Sequence, residues 1–163
     1  MQNQDLSGLF LHTLKDVYFA ENAITKALPK LVTAAKSAPL KKAFETHLKQ
    51  TEGHIKRLDK VFKLIEQKPE GVPCEAIKGI LKEGDEVGET FKGGSALDAG
   101  LIAAAQAVEH YEIARYGALH AWATELGHGD AAELLEATLM EEKETDELLT
   151  ELAEKSVNVA AAA

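Results

Sequence analysis

The stretch AAQAVEHYEIARYGAL, residues 104–119, carries an apolar helical stripe with carboxylates inside it. Ala105, Val108, Tyr116 and Leu119 recur at the three-and-four spacing that keeps one helix face toward a core, and Glu109 and Glu112 fall within the same stripe. Glutamates three residues apart project to one side of a helix, so both carboxylates are expected to point inward. An isolated buried carboxylate is costly. A helix that tolerates two of them has a reason beyond packing.

The anomaly recurs outward from this stretch. Leu14, Val17, Ile24, Leu28 and Leu31 predict helix A over residues 5–36, and Glu21 sits in phase with Val17, Ile24 and Leu28. Ser37-Ala38-Pro39 breaks the pattern and offers proline at a helix start. Phe44, Leu48, Thr51, Ile55, Leu58, Phe62 and Ile65 then mark helix B over 39–67, with Glu52 one residue off that line. Residues 68–94 read as a crossover, where Pro69, Pro73 and several glycines surround a short helical piece from Cys74 to Leu81. Helix C is expected over 95–126 with Ser95 as its start signal. Gly127-His128-Gly129-Asp130 stops it and caps helix D over 130–156, where Glu142 replaces an apolar residue between Leu139 and Leu149 and Asp146 lies at the edge of the same face. The terminal NVAAAA reads as a frayed end. Two hairpins joined by one long connection predict an all-α fold, a ferritin-like four-helix bundle with one long crossover carrying a short extra helix, in a single domain over 1–163.

The two hairpins also resemble each other. At a common offset of 91 positions, the separation of Glu21 from Glu112, Val17 falls on Val108, Leu28 on Leu119, Phe44 on Leu135, Glu45 on Glu136 and Leu58 on Leu149. This points to a pseudo-twofold duplication. In an antiparallel hairpin that turns near Ser37, Glu21 lies opposite Glu52; in one that turns near His128, Glu112 lies within about a turn of Glu142. Each hairpin is therefore expected to bring inward carboxylates to one level.

Like charges converging in a core are strongly unfavourable unless protons or cations neutralise them. Hard carboxylate oxygens suit iron or manganese. In bundles of this kind a glutamate from each of two helices joins a Glu-x-x-His from each of the other two. That second pattern is incomplete here, since helix D reads Glu142-Glu-Lys-Thr145 and helix B reads Thr51-Glu-Gly-His54. Taken singly, each glutamate also reads as a solvated helix-edge charge or a salt-bridged residue; it is the joint placement of Glu21, Glu112 and Glu142 that points to metal, with Glu52, Glu109, Asp146 and His54 as further candidates. His110 reads as a surface residue, Tyr18, Tyr111 and Tyr116 as core or boundary aromatics, and Cys74 as a small hydrophobe.

Composition narrows the partners. The formal net charge is −9, from 18 Lys and Arg against 27 Asp and Glu, which disfavours nucleic acid and anionic membranes. No apolar run approaches the roughly 20 residues of a membrane span. One cysteine excludes an intrachain disulfide, and MQNQDLSGLF has no basic and apolar leader pattern, so a reducing cytoplasm is expected.

Five segments together carry a resemblance: LFLHTLKDVYFAENAITKALPKL, HLKQTEGHIKRLDKVF, CEAIKGILKEG, AAQAVEHYEIARYGAL and LLEATLMEEKETDELLTELA. They resemble the YciE/YciF-type bacterial stress-response proteins, a ferritin-like (rubrerythrin-like) group, over nearly the whole chain. The resemblance implies a ferritin-like fold, a bacterial cytoplasmic setting, a link to stress, a homodimer and a di-iron site on Glu21, Glu52, Glu109, Glu112 and Glu142, with His54 and Asp146. It brings no established reaction. The leading expectation is a protein holding two iron (or manganese) ions that handles oxygen or peroxide under stress. The alternative is a non-catalytic stress-related structural or assembly protein whose metal is structural or absent. Storage in a cage is disfavoured, because no segment suggests cage contacts.

Overall fold

The computed structural model describes residues 4–163, so the first three residues of the stretch read for a leader lie outside it. Its helices are α1 (Leu6–Ala34), α2 (Ala38–Leu64), α3 (Glu75–Thr90), α4 (Leu97–Glu125) and α5 (Gly129–Leu152), and no strand occurs among the described residues. The all-α bundle expected from the sequence is what the chain forms. α1 pairs with α2 and α4 with α5; the two hairpins then meet through α2 against α5 and α1 against α4. No described helix is long and apolar enough to cross a membrane.

Local chemistry sets the ends. Asp5 caps α1, its Oδ1 accepting from Gly8 N at 2.8 Å. Ser37 precedes α2, whose first turn contains Pro39, the position where a missing N–H does least harm. The tight link between them is held by the buried Asp98 of α4, whose carboxylate accepts from the backbone N–H of Lys36 at 2.8 Å and of Ser37 at 2.7 Å. Gly127 closes the second hairpin at φ 76°, a left-handed conformation that costs glycine little.

The crossover differs from its expected form. α3 runs to Thr90 rather than stopping near Leu81, because it lies against α4 and α1 and buries Ile77 there. Gly100 makes that approach feasible: a Cβ at this position would stand 2.6 Å from Val87 Cγ1. Ser95 does not cap α4, which starts at Leu97 after Ala96. The C-terminal end is helical rather than frayed, passing through a π-helical turn (Ala153–Val157) into α6 (Asn158–Ala162).

The core is split in two along the bundle. One apolar cluster holds Ile24, Leu28, Phe44, Leu101, Ala105 and Leu149; the other holds Leu14, Val17, Leu58, Phe62, Tyr116 and Leu135. Polar residues fall at or beside the junction of the two clusters in each of these helices: Glu21 in α1, His47 to His54 in α2, Glu109 and Glu112 in α4, and Glu142 in α5. A polar layer thus lies between two apolar plugs that keep bulk water from it.

Candidate metal centre

Six side chains form that layer, each at most 3% exposed: Glu21, His47, His54, Glu109, Glu112 and Glu142. One donor atom each from His47, Glu109, Glu112 and Glu142 lie within 4.8 Å of one another, and so do donor atoms of Glu21, His54 and Glu142. Glu142 belongs to both groups. Its Oε1 is 2.9 Å from His54 Nδ1, which also stands 3.3 Å from Glu21 Oε1. Its Oε2 is 3.9 Å from His47 Nε2, which stands 3.0 Å from Glu109 Oε1.

These approaches are close but not aligned as hydrogen bonds. His47 Nε2, His54 Nδ1, Glu21 Oε2, Glu109 Oε2 and both carboxylate oxygens of Glu112 and Glu142 are buried without a hydrogen-bond partner. Buried polar atoms are nearly always partnered, and leaving one unmet is expensive. Eight such atoms converging from four helices fit a cationic occupant. The set of carboxylate oxygens with two imidazole nitrogens is one that can hold a metal ion.

The outer contacts orient the inner ones. His54 Nε2 lies 2.8 Å from Glu141 Oε2, and Arg57 donates two hydrogen bonds to the same carboxylate, at 2.8 and 2.7 Å. Donation from Nε2 to a fixed carboxylate leaves Nδ1 free to face the cluster, the arrangement that sets the tautomer of a metal-binding histidine. Tyr116 donates its hydroxyl proton to Glu21 Oε1 and so fixes that side chain from the opposite side. The carboxylate of Glu141 is held below its usual range, chiefly by Arg57.

Burial and neighbouring charge shift the titration of the groups in this layer. Burial, reinforced by Glu142 and Glu21, pushes Glu109 and Glu112 well above the usual carboxylate range. Burial also opposes a charge on His54, but Glu142 and Glu21 outweigh it and raise its pKa to about 10. Glu142, which burial would raise, is instead drawn down to about 2 by His54, Glu109 and His47. Burial depresses His47. The raised groups stabilise the metal-free fold at low pH: the contribution of His54 is complete below its unfolded pKa of about 6.5 and is lost as pH rises toward about 10. Those of Glu109 and Glu112, also raised, begin to fall above the unfolded glutamate pKa of about 4.3 and keep falling as pH rises. The metal-free chain should therefore melt at progressively lower temperature as pH rises from neutral toward about 9. The manganese-loaded chain should show the opposite trend between mildly acid and mildly alkaline pH, because cations displace these protons. Scanning calorimetry of both forms checks the sign.

The structure brings together Glu21, His54, Glu109, Glu112 and Glu142, and it leaves out Glu52 and Asp146. Glu52 is exposed. The buried line of α2 runs through Phe44, His47, Thr51, His54 and Leu58, and one residue past Thr51 is about 100° around a helix of 3.6 residues per turn. Glu21 consequently meets His54 instead of Glu52. Asp146 is drawn to the α4–α5 seam, where Gln106 Nε2 donates to it at 3.1 Å and His110 Nε2 lies 3.2 Å away. His47 was not anticipated; its spacing of three from Phe44 and four from Thr51 was the available signal. At the 91-residue offset His54 matches Thr145 and Thr51 matches Glu142, all four buried. Each half therefore retains the member of Glu-x-x-His that the other has lost.

Fold and site together define an all-α bundle with a buried His and carboxylate cluster able to hold metal. The chain belongs to the DUF892 family, described as a domain of unknown function, whose model matches residues 5–162. It is 45% identical over 159 residues to Protein YciF of Escherichia coli strain K12, covering 97% of this chain and 96% of that protein. The crystal structure of the E. coli stress protein YciF superposes with a TM-score of 0.91 at 44% identity, covering 96% of this chain and 99% of the other. YcfI of Rhodopseudomonas palustris, for which a structural role has been suggested, superposes with a TM-score of 0.88 at 50% identity over 90% of this chain and 94% of its own. A Xanthomonas campestris protein at 21% identity shares the fold, with a TM-score of 0.75 over 96% of each chain.

Proposed function

We propose that this chain is a stress-response protein that holds two iron or manganese ions in a ferritin-like bundle and uses them on dioxygen or peroxide. The observation that carries the reading is the group of eight buried, unpartnered donor atoms aimed at one another from four helices. His47, Glu109 and Glu112 would hold one ion and Glu21 and His54 the other, with Glu142 shared between them. Such a pair, when bound, supplies electrons one at a time to an O–O bond. The protein's part is to fix donor positions through Glu141, Arg57 and Tyr116, and to exclude water with the apolar plugs on either side. Tyr116 keeps its proton, because burial and then Glu21 and Glu112 push its pKa well up; it is a fixed donor to Glu21.

Elemental analysis after aerobic purification without chelator should find close to two transition-metal ions per chain. Anaerobically ferrous-loaded protein exposed to dioxygen or to peroxide should then develop ferric near-ultraviolet absorption faster than free ferrous ion under the same conditions. Metal content with no acceleration would favour the structural alternative. A stable, metal-free product that refuses to load would remove the reading altogether.

A further inference from the structure

A small cavity lies between α1, α3 and α4 and runs inward to the metal centre. Half-buried Ala27 and Leu81 form its outer rim, buried Ile24 and Ala105 its middle, and His47 and Glu109 its inner end. Its volume of about 20 Å³ slightly exceeds the roughly 10–15 Å³ a cavity needs to hold one water. It accommodates one very small molecule at a time. The wall presents only apolar surface, with Glu109 Oε2 and His47 Nε2 buried.

Polarity and width together select what passes. An ion entering here would shed its hydration shell and gain no hydrogen bond in return, and hydrogen peroxide would lose the partners of both hydroxyls. A diatomic with almost no hydration loses little. We propose that this cavity is the access path for a dioxygen-sized, uncharged and weakly hydrated molecule to the centre, with Leu81 of the crossover helix setting its width. The inference rests on the metal-centre reading and narrows its substrate class toward dioxygen rather than peroxide. It also gives α3, which contributes no residue to the cluster, a part in function: its packing on α1 and α4 places Leu81 at the rim.

Nitric oxide matches dioxygen in size and polarity, and its complex with ferrous ion is coloured. The test is anaerobic stopped-flow mixing of nitric oxide with the ferrous-loaded full chain and with Ala27→Phe, Ala105→Leu and Leu81→Ala. The two filling substitutions should slow nitric oxide binding by at least an order of magnitude, and Leu81→Ala should accelerate it, with metal content and final spectrum unchanged. Ala27 is only half-buried, so its variant keeps the test available if Ala105→Leu fails to fold. Metal-free crystals under krypton pressure should show a krypton atom between Ala27, Leu81 and Ala105, absent in Ala27→Phe. Normal final spectra with unchanged rates in the filled variants would overturn the access path and leave the metal centre standing. No nitric oxide spectrum even in the unmodified, iron-loaded chain would overturn the metal-centre reading, and the access path with it.

Discussion

Loading the metal-free chain with manganous ion should raise its melting temperature by about 8–16 °C. An ion that binds only the folded state at a thousand times its dissociation constant contributes about 4 kcal/mol. For a chain of this size, 1 kcal/mol moves the midpoint by about 2–4 °C. The effect is large because the metal-free layer is internally opposed: protons on Glu109 and Glu112 and a charge on His54 stand in for cations, yet donor atoms around them find no aligned partner. Differential scanning fluorimetry with and without manganese, at fixed protein concentration, reads the shift. A midpoint indifferent to manganese, iron and zinc alike would mean that the layer is a protonated polar network and nothing more.

Glu142→Gln should remove most of the metal bound by both groups, whereas Glu141→Gln should weaken binding by about 10–100-fold while leaving the donor set intact. The two residues are neighbours on α5, but they act at different distances from the centre. Glu142 offers one oxygen to the His54 side and the other to the His47 side, so losing its charge uncouples both. The carboxylate of Glu141 meets the far nitrogen of His54 and the guanidinium of Arg57, so its loss frees the ring to turn and the tautomer to change. Glu136→Gln, on an exposed position of the same helix, should bind like the unmodified chain. Equilibrium titration with manganese, followed by metal analysis of the desalted protein, separates the three. Equal loading in all of them would show that the inward face has been wrongly assigned.

The four long helices and their pairing into two hairpins joined by a crossover were legible because 3.6-residue periodicity and turn residues are local properties. Glu21, Glu109, Glu112 and Glu142 were legible for a related reason: a charge inside an apolar stripe of Val, Leu and Tyr contrasts with its neighbours. α2 offered less contrast. Its face alternates histidines and threonine with apolar residues, so the line through Leu48 and Ile55 looked as good as the one through His47 and His54. The line through Leu48 and Ile55 sets a helix phase that turns Glu52 inward and His47 outward. Asp146 lost its inward place to Gln106 and His110 across the seam, partners on another helix that no reading of α5 alone could supply.

By itself, then, the sequence determined an all-helical chain with carboxylates committed to its interior, since periodicity and the cost of burying charge act residue by residue. The tertiary structure alone decided the rotation of α2 about its axis, the sharing of Glu142 between two groups and the brace of Arg57 and Glu141 behind His54. It also decided the full length of α3 and the cavity rimmed by Leu81. These depend on where separate helices stand against one another, and that is settled only when their surfaces pack.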